Sequence, residues 1–200
     1  MVLLTTQHLE RMRIPQKHWG AKLSLIPDRC EHKKIVSNYV ANIEDHLYED
    51  SRGLLLFGNY SVGKSALAAI ILKAAMAAGE VGLWISSRDI PTYVIQNTPF
   101  DDNVTVYDRA HKVRALVIDE LIIRDDIKYT EQSIETLIRR RVDECLMTIL
   151  TTNHAPAAIK EKYPALAEVL LEATTPVRVS GHNFREVIAS ESDARIRKAK

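Results

Sequence analysis

The sequence predicts an α/β domain of three layers, with helices packed on both faces of a parallel sheet. Three observations carry that prediction. Short, near-continuous apolar runs recur along the chain, as expected of strands covered on both faces. Helical patterns separate them, which is the alternation of an α/β domain. A glycine-bearing loop joins the first run to the first of those helices.

The elements follow in order. Residues 1–50 are expected to form a helical arm, in which an irregular stretch with Pro15, Trp19 and Pro27 leads to an amphipathic helix over 35–48. The core is expected over 51–185. Its first strand is LLLF at 54–57, and the Ala-, Leu-, Ile- and Met-rich stretch 65–78 reads as a helix stopped by Gly79. VGLWIS at 81–86 and ALVI at 115–118 are the next strands. Residues 130–146 place Ile134, Leu137, Ile138, Val142 and Leu146 at helical spacing, and MTILTT at 147–152 is a fourth strand. Pro164 suits the first turn of a helix running to residue 173, since that turn needs no N–H there; PVRVSG at 176–181 is the fifth strand candidate. A basic tail is expected over 186–200.

Two hundred residues with 46% apolar content suffice for one full core, because a chain of this size buries roughly 70% of its unfolded surface. The net charge is +1, from 27 basic and 26 acidic residues, so no global field draws the protein to nucleic acid or an anionic membrane. Any such contact must be local. Cys30 and Cys145 stand far apart with no ligand spacing, which fits a reduced, cytoplasmic compartment. No stretch approaches the ~18 apolar residues of a membrane span, and neither the seven histidines nor Cys30 with His32 show metal spacing.

The segment GNYSVGKS follows the first strand and opens the first long helix, which is the context that gives GxxxxGK[ST] its mechanism as a P-loop. Nucleotide contacts are expected from Gly58, Asn59, Tyr60, Ser61, Val62, Gly63, Lys64, Ser65 and Ala66. The glycines allow the loop to coil so that backbone N–H groups face phosphate oxygens, and the helix N-terminus adds about half a positive charge. Lys64 supplies a mobile cation for the β and γ phosphates of ATP, and the Ser65 hydroxyl suits Mg²⁺. Ser61 stands where many such loops have a glycine, so a positive φ there would be strained.

VIDE puts Asp119 and Glu120 at the carboxyl end of a buried strand, the edge where open α/β sheets bind ligands. Asp119 suits the Mg²⁺ shell and Glu120 suits activation of the attacking water, a division that favours hydrolysis over phosphotransfer. An acidic pair at a strand end also occurs as a plain solvated turn or helix cap. TTN ends the fourth strand, and the Asn153 amide can bond the γ phosphate or the attacking water, or simply form a turn. Lys64, Glu120 and Asn153 are therefore the catalytic candidates.

With GNYSVGKS, VIDE and TTN in that order and separated by helices, the chain resembles the AAA+ ATPases, most closely the DnaC/IstB group of replicative helicase loaders and transposition helper ATPases. The resemblance covers residues 14–185, through IPQKHW, GLLLFGNYSVGKSALA, LVIDEL, LIRRRVDECLMTILTTN and GHNFR. It implies a three-layer P-loop fold with a five-stranded parallel sheet in the order 5-1-4-3-2, and no full helical lid. It also implies that Asn153 is the sensor 1 residue and Arg185 the sensor 2 arginine. The partners implied are a hexameric replicative helicase, single-stranded DNA and further copies of the chain in the ATP-bound state. Two departures stand out: only about fifty residues precede the first strand, where loaders often carry a helicase-docking domain, and PALAEVLLEATTP lacks the basic residue that relatives place before the last strand.

Local basic clusters are Arg139, Arg140 and Arg141, and the tail residues Arg195, Arg197, Lys198 and Lys200; they suit DNA phosphates or a solvated surface equally. Tyr93, Phe100 and Tyr107 are candidates for base stacking or for packing. Besides the loader and the transposition helper, a small-molecule kinase and a nucleotide-controlled binding module remain open readings.

Overall fold

The computed structural model describes residues 4–28, 30–96, 105–122 and 128–181. The arm comes first, with α1 (Thr6–Arg11), α2 (Glu31–Ala41) and α3 (Ile43–Tyr48). The core then runs β1 (Gly53–Phe57), α4 (Lys64–Ala77), β2 (Leu83–Ser86), α5 (Ile90–Gln96), α6 (Val106–Lys112), β3 (Ala115–Leu121), α7 (Lys128–Asp143), β4 (Met147–Thr152), α8 (Pro156–Lys162), α9 (Pro164–Ala173) and β5 (Thr174–Arg178). All strand pairs are parallel, and the order across the sheet is β2-β3-β4-β1-β5, which read from the other edge is 5-1-4-3-2.

The apolar runs lack alternation because both faces of the sheet are covered. Leu54 and Leu56 of β1, Val117 of β3 and Ile149 of β4 pack with α4 and the arm, in a cluster with Leu67, Ile71, Met12, Val36 and Leu47. Leu55, Leu116, Ile118 and Leu150 point the other way, into a cluster with Leu137 and Ile138 of α7 and Leu166 and Leu170 of α9. Period-two side-chain direction thus feeds two cores from one sheet. Helix α4 lies between the sheet and the arm, which explains its nearly all-round apolar composition. It ends as its sequence predicts: Gly79 takes φ +100°, its N–H donates to the Met76 carbonyl, and the Glu80 N–H donates to the Ala75 carbonyl.

The arm packs as part of this core. Its Met12 carbonyl accepts the Trp84 N–H at 2.8 Å, occupying a bonding group on the edge strand β2. The Tyr39 hydroxyl donates to the Arg52 carbonyl at 2.7 Å and so ties α2 to the start of β1.

Boundaries shift by two or three residues at β2 (Leu83–Ser86) and α7 (Lys128–Asp143), and they differ from expectation in three other places. The arm helix breaks at Asn42 (φ −110°, ψ 32°), giving α2 and α3 instead of one helix over 35–48. The fifth strand begins at Thr174, directly out of α9: the Thr174 hydroxyl donates to the Leu170 carbonyl at 2.6 Å and closes the helix. Pro176 is tolerated because β5 is an edge strand bonded on one side only. Strand β3 runs past ALVI to Leu121, so the acid pair lies inside the strand. Phe100, Arg185 and the basic tail lie outside the described residues. Among the described residues no helix is long and apolar enough to cross a membrane.

Candidate nucleotide site

Gly58 is where β1 turns into the loop, and a side chain there has no room. Its φ is +148°, and a Cβ would stand 2.1 Å from the Val179 carbonyl oxygen. That approach arises because the chain beyond β5 runs alongside, with the Val179 N–H donating to the Phe57 carbonyl at 2.7 Å. Farther along, Ser61 (φ 61°) and Gly63 (φ 97°) adopt left-handed backbone, a pattern that turns N–H groups inward as an anion nest. Gly63 is also the N-cap of α4, whose N-terminus adds its partial positive charge behind the nest. Ser61 therefore carries the strain its sequence position predicts, roughly 1–2 kcal/mol for an L-residue.

Lys64 is only 8% exposed, and its Nζ donates to the Gly58 carbonyl at 2.8 Å, the Asn59 carbonyl at 2.6 Å and Asn153 Oδ1 at 2.7 Å. Burial lowers its pKa, while the Asp119 and Glu120 carboxylates act against that shift. The Ser65 hydroxyl donates to Asp119 Oδ1 at 2.9 Å. The ends of β1, β3 and β4 thus converge on the N-terminus of α4 through side chains far apart in sequence.

The acid pair sits on a break in the ladder. Ile118 pairs with Leu150 and Leu121 with Thr152, so two residues of β3 face the single Thr151 of β4. That extra residue is a β-bulge, and Glu120 absorbs it with φ 57°. The Asp119 side chain is 7% exposed. It accepts a second hydrogen bond from the Thr151 hydroxyl at 2.6 Å. Glu120 is more open: its carboxylate lies 3.4 Å from an Arg88 guanidinium nitrogen, and the Ser87 hydroxyl donates to its carbonyl at 2.6 Å.

A cavity of about 470 Å³ opens over the loop. One wall is the loop from Tyr60 to Ala66, with Glu120, Thr151, Thr152 and Asn153 at its polar end. The opposite wall is the arm, through His18, Gly20, Ala21, Ile26 and His32, facing Leu67 and Ile70 of α4. Lys73 fixes that wall by donating to the Trp19 and Ala21 carbonyls, and Lys33 does so at the Ile26 carbonyl. Both imidazoles of this wall are pushed toward the neutral form. Burial, helped by Lys17 and Lys73, pushes His18 down to about 4, and burial lowers His32 as well. One end of the cavity is therefore rich in N–H donors and carries Lys64, and the other is lined by apolar side chains and two imidazoles with Lys17 and Lys22 beside them.

These residues fit a nucleoside triphosphate with Mg²⁺. The nest, the helix N-terminus and Lys64 suit phosphate oxygens, and the paired Ser65 and Asp119 oxygens suit a hard cation. The apolar end suits a base. Of the expected contacts, Tyr60, Ser61, Val62, Gly63, Lys64, Ser65 and Ala66 line the cavity, and Val62 is also buried in the first core cluster. Gly58 and Asn59 turn the chain and hold Lys64 by their carbonyls, and Asp119 sits behind Ser65. Arg185 lies outside the described residues. Sequence reasoning missed the arm wall, Ser87, Arg88 and Thr151. Only Thr151 had a signal, as the polar pair before Asn153.

The basic run on α7 requires a correction. Arg141 is fully buried, with its guanidinium donating to the carbonyls of Ala110, Val113 and Met147 and to the Thr148 hydroxyl, so it is closed to DNA phosphates. Arg139 and Arg140 are exposed but pair with Glu135 and Glu144 one turn away. Tyr93 and Tyr107 pack partly buried against the second core cluster.

No protein-family model matches the sequence, and no curated protein matches it. Solved structures do match. A DnaC helicase loader superposes with a TM-score of 0.70 at 18% identity, covering 83% of this chain and 100% of that one. DnaI gives 0.70 at 19%, covering 89% and 99%. The replication initiator DnaA, bound to AMPPCP and single-stranded DNA, gives 0.67 at 13%, covering 86% and 52%. In fold, a parallel five-stranded sheet with a glycine-bearing loop opening α4, the chain is similar to these solved structures.

Proposed function

We propose that the chain binds Mg-ATP, hydrolyses it to ADP and phosphate, and uses that cycle to load a replicative hexameric helicase onto single-stranded DNA. The observation that carries the ATP chemistry is the convergence of Lys64 with Asn153 and of Ser65 with Asp119 at one end of the cavity. The replication role is supported by likeness in fold to DnaC and DnaI over nearly their whole length.

The residues divide the work. The loop N–H groups and Lys64 hold phosphate oxygens, with the Asn153 amide oxygen orienting the ammonium from the sheet side. Ser65 and Asp119 would hold Mg²⁺, which supplies charge neutralisation at the β and γ phosphates. Glu120 accepts a proton from the attacking water, its carboxylate standing on the cavity wall at the bulge. The arm residues His18, Gly20, Ala21, Ile26 and His32 form the wall beside the base.

Two variants and one capture experiment test this reading. Lys64→Ala should abolish tight ATP binding in calorimetry, and Glu120→Gln should keep binding while turnover falls by about 10²-fold or more, in line with general-base removal. Unchanged affinity in the first, or unchanged turnover in the second, would sink the site. Capture with ATP and single-stranded DNA should retain a hexameric helicase. Retention of a transposase on duplex DNA would instead make the chain a transposition helper.

A further inference from the structure

The strand end TTN contributes more than Asn153, and its first threonine has no assigned role. Thr151 is 1% exposed and stands alone on β4 opposite Asp119 and Glu120, where β3 carries its extra residue. A bulge leaves a ladder N–H without its main-chain acceptor. Here that N–H belongs to Glu120, and it donates to the Thr151 hydroxyl oxygen at 2.9 Å. With its oxygen accepting, the hydroxyl's single proton is committed to Asp119 Oδ1 at 2.6 Å. The neighbouring Thr152 hydroxyl donates to the Leu121 carbonyl at 3.0 Å and closes the far side of the bulge.

We propose that Thr151 is a positioning residue that sets the metal-side carboxylate of Asp119 and the backbone of Glu120 with one hydroxyl. The inference rests on the Mg-ATP reading above. Asp119 Oδ1 accepts from both Thr151 and Ser65, so the hydroxyl from β4 fixes the carboxylate against the loop serine. The same oxygen holds the Glu120 amide in a left-handed conformation that glutamate adopts only under constraint. Both acids therefore answer to a residue that lines the cavity in the same strand end as Asn153.

Thr151→Val keeps the shape and deletes the hydroxyl, and Thr151→Ser keeps the hydroxyl. Amide exchange at Glu120, followed by NMR on the nucleotide-free protein, should lose protection at least 10-fold in the valine variant and retain it in the serine variant. The Mg²⁺ dependence of ATP affinity, titrated with a fluorescent ATP analogue, should weaken about 10-fold in the valine variant, with affinity in EDTA unchanged and serine near wild type. Wild-type exchange at Glu120 in the valine variant would overturn the proposal. So would lost protection with an unaltered Mg²⁺ response, or equal defects in both variants. A wild-type protein that binds no ATP would refute the functional reading and take the metal-side role of Thr151 with it, while the exchange experiment still reads the amide link by itself.

Discussion

Arg141 shows how one residue type can mislead at the level of sequence. In the run of three arginines it is indistinguishable from its neighbours, yet it is fully buried with no carboxylate bonded to it among the described residues. Burial pushes its pKa down to about 9, still above neutral, so it remains a cation whose charge is met by three carbonyl dipoles and a hydroxyl. Those bonds join α7 to the end of α6 and the start of β4. Arg141→Ala would leave the carbonyls without donors and should cost about 3–5 kcal/mol in denaturant unfolding, the range for breaking a buried charged network. A loss under ~1 kcal/mol would mean that water replaces the guanidinium. Ser61 gives the opposite sign. Because its φ of 61° suits glycine better, Ser61→Gly should raise stability by up to about 1 kcal/mol, read as a shift of the unfolding midpoint at constant slope.

At the level of elements, most of the fold was legible because buried parallel strands announce themselves as unbroken apolar runs; each of the five strand candidates overlaps a strand of the sheet. The loop was legible because its chemistry permits few residues. The arm's role was not. Prolines and scattered charges over residues 15–30 give no period, and what makes them a cavity wall is tertiary: Lys73 and Lys33 gripping their carbonyls. The bulge was equally hidden, since VIDE reads the same with or without an extra residue facing Thr151. The arm wall has a pH signature. The His18 pKa falls to about 4 when folded, against 6.5 for the free group, because burial disfavours the imidazolium. Between those values the unfolded chain binds the proton and the folded one does not, so stability is full above 6.5 and declines as pH falls toward 4. His18→Gln should flatten the dependence of Tm on pH in that window; an unchanged slope would assign the dependence to other groups.

For the whole molecule, the proposed hydrolysis makes the cations around the cavity the groups that set the turnover of one chain alone. The described residues lining it include Lys17, Lys22 and Lys64 but no arginine, and the helix leading into β5 reads PALAEVLLEA. An arginine placed against the transferring phosphate is worth about 10³–10⁵ in turnover, because its planar fork meets two equatorial oxygens as charge builds there. Lys64, already shared among three acceptors, offers a point charge in its place. Turnover by isolated chains is therefore expected to be slow even where ATP is bound tightly. Under the proposed ATPase function, faster hydrolysis would call for a cation from outside these residues, such as a neighbouring copy, a helicase or a DNA-bound assembly. Within the chain, Arg141 is closed off and Arg139 and Arg140 hold glutamates, whereas Arg178 at the end of β5 is exposed with no ion pair among the described residues. Measured over a wide range of protein concentration, turnover per chain should rise as copies associate, and Arg178→Ala should blunt that rise without changing ATP affinity. Single-stranded DNA that gathers copies should steepen it. Rapid hydrolysis independent of concentration would show that one chain completes the site alone, and the expectation of a charge supplied in trans would have to be abandoned.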